Sequence, residues 1–276
     1  MKAEVRPRHD GTEARKPLLA VQGVTRRYEG NRQAVTALED VSFNVFEGEF
    51  VCIVGASGGG KSTLLNIVAG LDAPDAGHTL FDGEHVNGPG PDRVLVFQEA
   101  ALLPWLNVRE NVEFGLRLRH TLPADIAAKA ERCLELVHLQ EYQKLHPHEL
   151  SGGMRQRVQI ARALAVEPRM LLMDEPFAAL DVQTRERLQD ELQEIWMRTR
   201  STVLFVTHNV REAAVLSDRV IVMTSSPGRV KCEIPVPLPR PRQMDSPPVT
   251  GVAMWIRAEL QHTGAAGKEP AIASPG

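Results

Sequence analysis

A glycine-rich segment that ends in a lysine and a serine carries the clearest chemistry in this sequence. Residues 55–62 read GASGGGKS, which has the G-x4-G-K-S spacing of a phosphate-binding loop. Glycines let backbone N–H groups curve around phosphate oxygens, and a following helix points its positive end at the same anion. We expect Lys61 to reach the terminal phosphates and Ser62 to bind Mg²⁺. A flexible turn is the alternative. The predicted phosphate-site residues are Gly55, Ala56, Ser57, Gly58, Gly59, Gly60, Lys61, Ser62 and Thr63.

Two adjacent carboxylates, Asp174 and Glu175, follow the apolar run at 170–173. In an open α/β sheet, ligands bind where the strands end. We therefore expect Asp174 to join the Mg²⁺ shell and Glu175 to polarise an attacking water as a general base. Alone, such a pair could equally begin a surface loop. Downstream of a phosphate loop it indicates an ATP-hydrolysing site.

A third signal is the segment LSGGM at 150–154. Its serine and two glycines can open a helix, with a capping hydroxyl, unhindered N–H groups and a positive dipole that together attract an anion. An ordinary capped helix would explain the serine. It would not explain the paired glycines.

The elements that must position these motifs follow an alternating strand and helix order. Phe50–Val54 is a short apolar run typical of a strand buried on both faces. A helix is predicted over Ser62–Ala69, with Gly70 ending it. The later alternation predicts a parallel sheet. The predicted strands are Met170–Met173, Val203–Thr207 and Val220–Met223, and the predicted helices are Gln183–Arg198 and Val210–Ser217.

Two further regions differ from this core. Leu18–Tyr28 and Val41–Val45 alternate apolar and polar residues, as half-buried antiparallel strands do. Between Val94 and Glu149 the pattern is mostly helical. Its clearest amphipathic stretches are Val108–Leu118 and Ile126–Leu139.

The composition limits the function. The chain has 276 residues, a net charge of −3 and a pI near 6.3, so nucleic acid is not an expected partner. The sequence has no apolar run long enough to span a bilayer. Prolines crowd Ile234–Pro248 and predict an absence of regular structure there, before a short helix at Val252–His262.

Taken together, these motifs resemble the ATP-binding subunit of ABC transporters over roughly Leu18 to Arg229. The resemblance implies an α/β P-loop NTPase fold with a RecA-like core, an antiparallel β subdomain and an inserted helical subdomain. We predict a flexible tail at 1–17, an ABC ATPase domain at 18–230 with its helical subdomain at about 97–155, and a proline-rich, partly disordered extension at 231–276.

The resemblance also implies roles for individual residues. Gln98 matches the glutamine that senses Mg²⁺ and water, and His208 matches the switch histidine that supports Glu175. Tyr28 matches an aromatic that stacks on adenine, although simple packing is the alternative for a strand-end tyrosine. Asp181 matches a contact across a dimer. The signature residues, which would contact the ATP of a second copy, are Ser151, Gly152, Gly153 and Gln156.

Three positions depart from the family pattern. Asn209 stands where aspartate is common, Ala178 and Ala179 replace the usual Ser/Gly-Ala, and Gly59 stands where many relatives have cysteine. None of these removes a phosphate, metal or base ligand. We therefore expect an active ATPase with ATP and Mg²⁺ as its cofactors.

The segment AALLPWL at 100–106 is unusually apolar, which suits either internal packing or, by resemblance, a groove for a permease helix near Trp105. Together with the sequence around His208, it resembles the nitrate, sulfonate and taurine importer group. The implied partners are a second copy, membrane permease subunits and, indirectly, a solute-binding protein. The implied place is the cytoplasmic face of the inner membrane. The alternatives are a non-transport ABC ATPase of DNA repair or ribosomes, an exporter ATPase, or a regulatory subunit with an inactive site.

Overall fold

The computed structural model describes residues 16–29, 34–119 and 121–261. The tail predicted at 1–17 lies almost entirely outside these residues, as does the end of the chain after 261. Among the described residues, no helix combines the length and the apolar character needed to cross a bilayer.

A four-stranded antiparallel sheet with the order β2-β1-β4-β5 forms one part of the fold. The two long strands predicted from alternation lie next to each other, although β2 begins seven residues earlier than its predicted start at Val41. The strands of this sheet are β1 (Leu19–Glu29), β2 (Ala34–Val45), β4 (Ala76–Phe81) and β5 (Glu84–His85).

A six-stranded sheet with the order β10-β9-β3-β8-β7-β6 forms the core. All its pairings are parallel except that of β10 with β9. The expected central strand is observed at its predicted bounds. These strands are β3 (Phe50–Val54), β6 (Arg93–Val96), β7 (Met170–Asp174), β8 (Thr202–Thr207), β9 (Arg219–Met223) and β10 (Val230–Pro235).

Alternate residues of β3 serve two separate apolar cores. Phe50, Cys52 and Val54 pack in one cluster, and Val51 and Ile53 pack in the other. This is the period-two geometry of a strand, with both faces covered. The first cluster lies among the helices, whereas the second includes the antiparallel sheet and the helix that follows β3.

Seven α-helices complete the described fold. Val108–Leu118 was predicted at its observed bounds, and Gly70 ends the first helix in a left-handed conformation, as expected. Two short 3-10 turns precede the fourth helix. The helices are α1 (Lys61–Ala69), α2 (Val108–Leu118), α3 (Pro123–Leu136), α4 (Gly152–Ala165), α5 (Val182–Thr199), α6 (Val210–Leu216) and α7 (Pro247–Gln261).

The prediction that Ile234–Pro248 lacks regular structure is wrong at both ends. β10 extends through Pro235, because an edge strand tolerates proline, and α7 begins at Pro247, because a first-turn proline loses no helical hydrogen bond. The strand β6 was also not predicted, because it lies in the region interpreted as mostly helical. Four residues are too few to show a period.

The segment between β10 and α7 is fixed to the core by the buried Arg242. Its guanidinium donates hydrogen bonds to five carbonyl oxygens in all. Burial lowers the pKa of this guanidinium to about 10. Three of the acceptors lie at the end of α6 or just after it, so the side chain caps that helix. The acceptor carbonyls belong to Ala214, Val215, Ser217, Val236 and Leu238.

Candidate active site

The glycine-rich segment forms the turn between β3 and α1. Gly58 and Gly60 have φ angles of 77° and 75°, a region that side chains disfavour. A Cβ added to Gly60 would lie 2.5 Å from the carbonyl oxygen of Ala37. Both the backbone angle and the space therefore require glycine at position 60. α1 begins at Lys61, within the glycine-rich segment 55–62.

Lys61, the first residue of α1, places its ammonium inside this loop. The side chain is only 5% exposed, and Nζ donates hydrogen bonds of 3.0 Å to the carbonyl oxygens of Gly55 and Ala56. Nζ also lies 3.9 Å from Oε1 of Glu175. Burial lowers the pKa of Lys61, and the neighbouring carboxylates of Glu175 and Asp174 oppose that change. A cation thus lies where phosphate oxygens are expected.

The Ser62 hydroxyl donates a hydrogen bond of 3.1 Å to Oδ1 of Asp174. Asp174 is the last residue of β7, whereas Ser62 is the second residue of α1. Burial raises the pKa of Asp174, and the hydrogen bond from Ser62 opposes this effect. Two hard oxygen donors that are distant in sequence are therefore in contact.

Glu175 turns back towards the sheet as the chain leaves β7. Its φ of 44° is uncommon for a residue with a side chain, and its N–H donates to the carbonyl of Val206 in β8. Nδ1 of His208 lies 2.7 Å from Oε2 of Glu175. Strained backbone is characteristic of functional sites, since the surrounding structure must maintain it. The carboxylate is thus fixed by its backbone, by Lys61 and by His208.

Gln98 and Tyr28 flank this group. Gln98 is exposed two residues after β6, whose last residue, Val96, is paired with Met173 of β7, so it lies at the same edge of the sheet as Asp174. Tyr28 is 40% exposed near the end of β1. Its hydroxyl donates a 2.8 Å hydrogen bond to Asp72, which orients the ring.

The signature segment opens α4, as predicted. Ser151 is the N-cap and its Oγ accepts a 3.2 Å hydrogen bond from the N–H of Met154, while Gly152 begins the helix. Among the described residues, no hydrogen bond or ion pair joins this segment to the phosphate loop of its own chain. Gln156 differs from Ser151 because its side chain is buried.

Asp181 caps the next helix along the chain, α5. Its Oδ1 accepts a 3.0 Å hydrogen bond from the N–H of Thr184. Hydrogen bonds to this carboxylate, first of all from the Thr184 backbone, lower the pKa of Asp181. The side chain is exposed at the start of a long helix, where a facing molecule could reach it.

Sequence reasoning missed the polar residues beneath the site. Glu212 and Gln189 are buried and hydrogen-bonded to each other across α6 and α5. Asp72 and Arg26 surround Tyr28, with the guanidinium carbon of Arg26 4.9 Å from the centre of the tyrosine ring. Contacts between separate elements leave no local pattern. The only signal available was a glutamate in the first turn of a predicted helix.

Comparisons with known proteins identify the family of the chain. The protein-family model described as "ABC transporter" matches residues 38–178, slightly more than half of the chain. The chain belongs to the ABC transporter family.

Curated relatives in this family are similar over most of their lengths. The nitrate import ATP-binding protein NrtD of Synechocystis sp. is 48% identical over 80% of this chain and 83% of its own. The taurine import ATP-binding protein TauB of Sinorhizobium fredii is 50% identical over 73% of this chain and 76% of its own. Both lie within the importer group that the sequence resembles.

Solved structures of ABC cassettes share the fold. A dimeric post-hydrolysis structure of the ATP-binding cassette MJ0796 bound to ADP and Pi superposes with a TM-score of 0.70 at 35% identity. It covers 79% of this chain and 98% of the other. The predicted ABC ATPase fold is confirmed, and the chain is an ATP-binding ABC transporter subunit and an ATPase.

Proposed function

We propose that this ABC ATPase powers the import of a small solute of the nitrate, sulfonate or taurine type through a separate membrane permease. The observation that carries the proposal is the joint placement of Lys61, Glu175 and His208 at the edge where β3, β7 and β8 end. The curated relatives named for nitrate and taurine import support the solute class.

Each residue at this edge has a distinct role in hydrolysis. The loop N–H groups and Lys61 bind the phosphates, with the α1 dipole adding to the attraction. Glu175 acts as the general base that orients water and accepts its proton. His208, 2.7 Å from that carboxylate, holds it in position and contacts the terminal phosphate. Gln98 contributes from the loop after β6, and Tyr28 stacks on adenine.

The oxygens of Ser62 and Asp174 suit a magnesium ion. Mg²⁺ prefers hydroxyl and carboxylate oxygens together with phosphate oxygens, and these two side chains are already adjacent. Gln98 completes the proposed set. The ion would neutralise charge on the phosphates during transfer.

A complete site requires a second copy of the chain. Ser151, Gly152 and Gly153 offer a helix N-terminus to an anion but serve no phosphate loop in their own chain. We assign them to the ATP held by a facing copy, with Asp181 contacting across the same interface. The dimeric cassette of MJ0796 supports this arrangement. Of the signature residues, Gln156 is buried and its contact with ATP stays a prediction.

The permease would bind beside the helical subdomain. Trp105 is 69% exposed and Phe97 is 43% exposed, which leaves apolar surface next to Gln98. A permease helix in this position would place the chain at the cytoplasmic face of the inner membrane, with a solute-binding protein as an indirect partner. The division into an ATPase domain at 18–230, with a helical subdomain at about 97–155, stays part of this proposal.

Co-purification from membranes tests the proposal. The tagged chain should recover a permease, and the ATPase activity of the complex should be lost in Glu175→Gln. Trp105→Glu should abolish recovery of the permease while the isolated subunit keeps its ATPase activity. Met254→Glu is a matched control, because Met254 is 66% exposed, similar to Trp105, but lies on α7. Recovery of a soluble complex without a permease would overturn the transport proposal and favour the non-transport alternative.

A further inference from the structure

We propose that Glu212 is a positioning residue that sets the switch histidine His208 against Glu175. It lies in the first turn of α6, four residues after the histidine, and the described hydrogen bonds of its side chain go to Thr207, Asn209 and Gln189. The inference rests on the proposed role of His208 in hydrolysis. It adds a buried residue that supports His208 in that role.

Glu212 contacts the residues on both sides of His208. Its Oε2 accepts a 2.5 Å hydrogen bond from the hydroxyl of Thr207, and its Oε1 accepts a 3.4 Å hydrogen bond from Nδ2 of Asn209. The backbone N–H of Asn209 donates to the same Thr207 hydroxyl at 3.0 Å. The chain entering and leaving His208 is therefore tied to one carboxyl group.

The difference in exposure shows why such a support is needed. The His208 side chain is 56% exposed, whereas Glu212 and Thr207 are 5% and 2% exposed. Solvent cannot hold an imidazole in one orientation, and in the part of the chain that the structure describes the imidazole is hydrogen-bonded to one side chain, that of Glu175. The buried groups below must fix the backbone from which the ring projects.

The same carboxyl reaches the helix that begins at Asp181. Nε2 of Gln189, which is 1% exposed on α5, donates a 3.0 Å hydrogen bond to Oε1 of Glu212. Glu212 thus joins β8, α5 and α6 at one point. Through Glu212, the position of His208 depends on α5. Because α5 begins directly after Asp181, the proposed dimer contact, dimer closure and the position of His208 are connected through buried residues.

Among the described residues, none forms an ion pair with Glu212. The charges that act on its carboxyl are Arg185 of α5, whose guanidinium donates instead to the carbonyls of Phe177 and Leu180, and His208; Glu175 lies beside the same group. The carboxyl therefore acts through hydrogen bonds. A glutamine could replace it, because Oε1 of Gln189 is buried, has no hydrogen-bond partner among the residues that the structure describes, and could accept from the new amide.

Variants of the isolated subunit test this inference by steady-state kinetics and ATP binding. We expect Glu212→Ala and Thr207→Val to lower kcat about tenfold while KM for ATP changes less than about twofold, because the phosphate loop is untouched. Glu212→Gln should restore most of the activity. In histidine-labelled protein, the His208 ring resonances should move in Glu212→Ala and return in Glu212→Gln.

Gln193→Leu provides the matched control. Gln193 lies one turn further along α5, is 3% exposed and makes two hydrogen bonds with the backbone of Arg242. It should lower the melting temperature without lowering kcat. Equal kcat losses in Gln193→Leu and Glu212→Ala would overturn the inference, because packing of α5 would then explain both.

His208→Ala distinguishes the positioning role of Glu212 from the proposed role of His208 in hydrolysis. A loss of turnover in His208→Ala together with full turnover in Glu212→Ala and Thr207→Val would refute the positioning role alone. Full turnover in His208→Ala would refute the proposed role of the histidine itself. The expected result is a loss in all three variants.

Discussion

Oε2 of Glu175 and Nδ1 of His208 lie 2.7 Å apart, although 33 residues separate them in the chain. β7 and β8 are adjacent and parallel, so the residues that follow their ends meet at one edge. Glu175, the proposed general base, is therefore oriented by a residue that directly follows the neighbouring strand. This contact makes the base the most informative position to change.

Glu175→Gln should retain ATP binding and lose hydrolysis. The amide keeps the size of the side chain but cannot accept a proton, so we expect kcat to fall by about 10²- to 10⁴-fold. Phosphate release and binding of labelled ATP measure the two effects. Glu135→Gln, on the exposed face of α3, is the control. Turnover equal to the parent would remove Glu175 from the mechanism.

Lys61→Met should abolish the stabilisation that ATP gives to the fold. A ligand that binds only the native state adds RT ln(1 + c/Kd) to the free energy of unfolding at a concentration c, about 2.7 kcal/mol when c is 100 Kd, and so raises the melting temperature. Without the ammonium inside the loop, that increase should shrink or disappear. Thermal unfolding with and without ATP measures it, with Lys129→Met as the control, since Lys129 of α3 pairs with Glu167, just after the end of α4 and away from the loop. An unchanged shift would contradict the phosphate role of Lys61.

Arg242→Leu should destabilise the protein by about 3 kcal/mol, because several buried carbonyls lose their donor. Denaturant unfolding gives the free energy. Arg257→Leu changes an exposed arginine of α7 and should cost much less. Similar losses in the two variants would show that the buried guanidinium does not secure the segment between β10 and α7.

Glu212→Gln should gain stability relative to the parent as the pH rises. Burial raises the pKa of Glu212 above its ordinary value of 4.5, so the native parent holds a proton that the unfolded chain releases. The parent therefore loses stability as the pH rises from about 4.5 through the native pKa, at most by about 1.4 kcal/mol per pH unit. Melting curves across pH 4 to 8 should show a widening gap. Parallel curves would contradict the raised pKa.

The sequence predicted the elements that carry a strong local signal. Phe50–Val54 is apolar throughout, and Val108–Leu118 has a clear amphipathic period, so both were found at their observed bounds. The start of α3 was placed three residues late, because its first turn begins at Pro123, before the apolar period is evident. β4 and β6 were missed, since their short segments alternate poorly.

The sequence predicted site residues only where the residues of one motif are adjacent in the chain. The phosphate loop, the carboxylate pair and the signature are each continuous segments. The contacts of Thr207, Glu212 and Gln189 join three elements, and no residue type there is unusual for its place in the sequence. Such interactions become visible only when the tertiary arrangement is known. Tyr28 shows the same limit, because Asp72 orients it from a loop 44 residues away.

The order of strands in the central sheet also determines when the protein can form its site during synthesis. β3 (Phe50–Val54), which leads into the phosphate loop, lies between β8 and β9, and these are translated only when synthesis reaches Thr202 and Arg219. The loop therefore leaves the ribosome long before either neighbour of its strand exists. A nascent chain that ends at residue 178, where the family match stops, would expose both edges of β3. Nucleotide affinity should thus appear late in translation, once Met223 has joined the sheet.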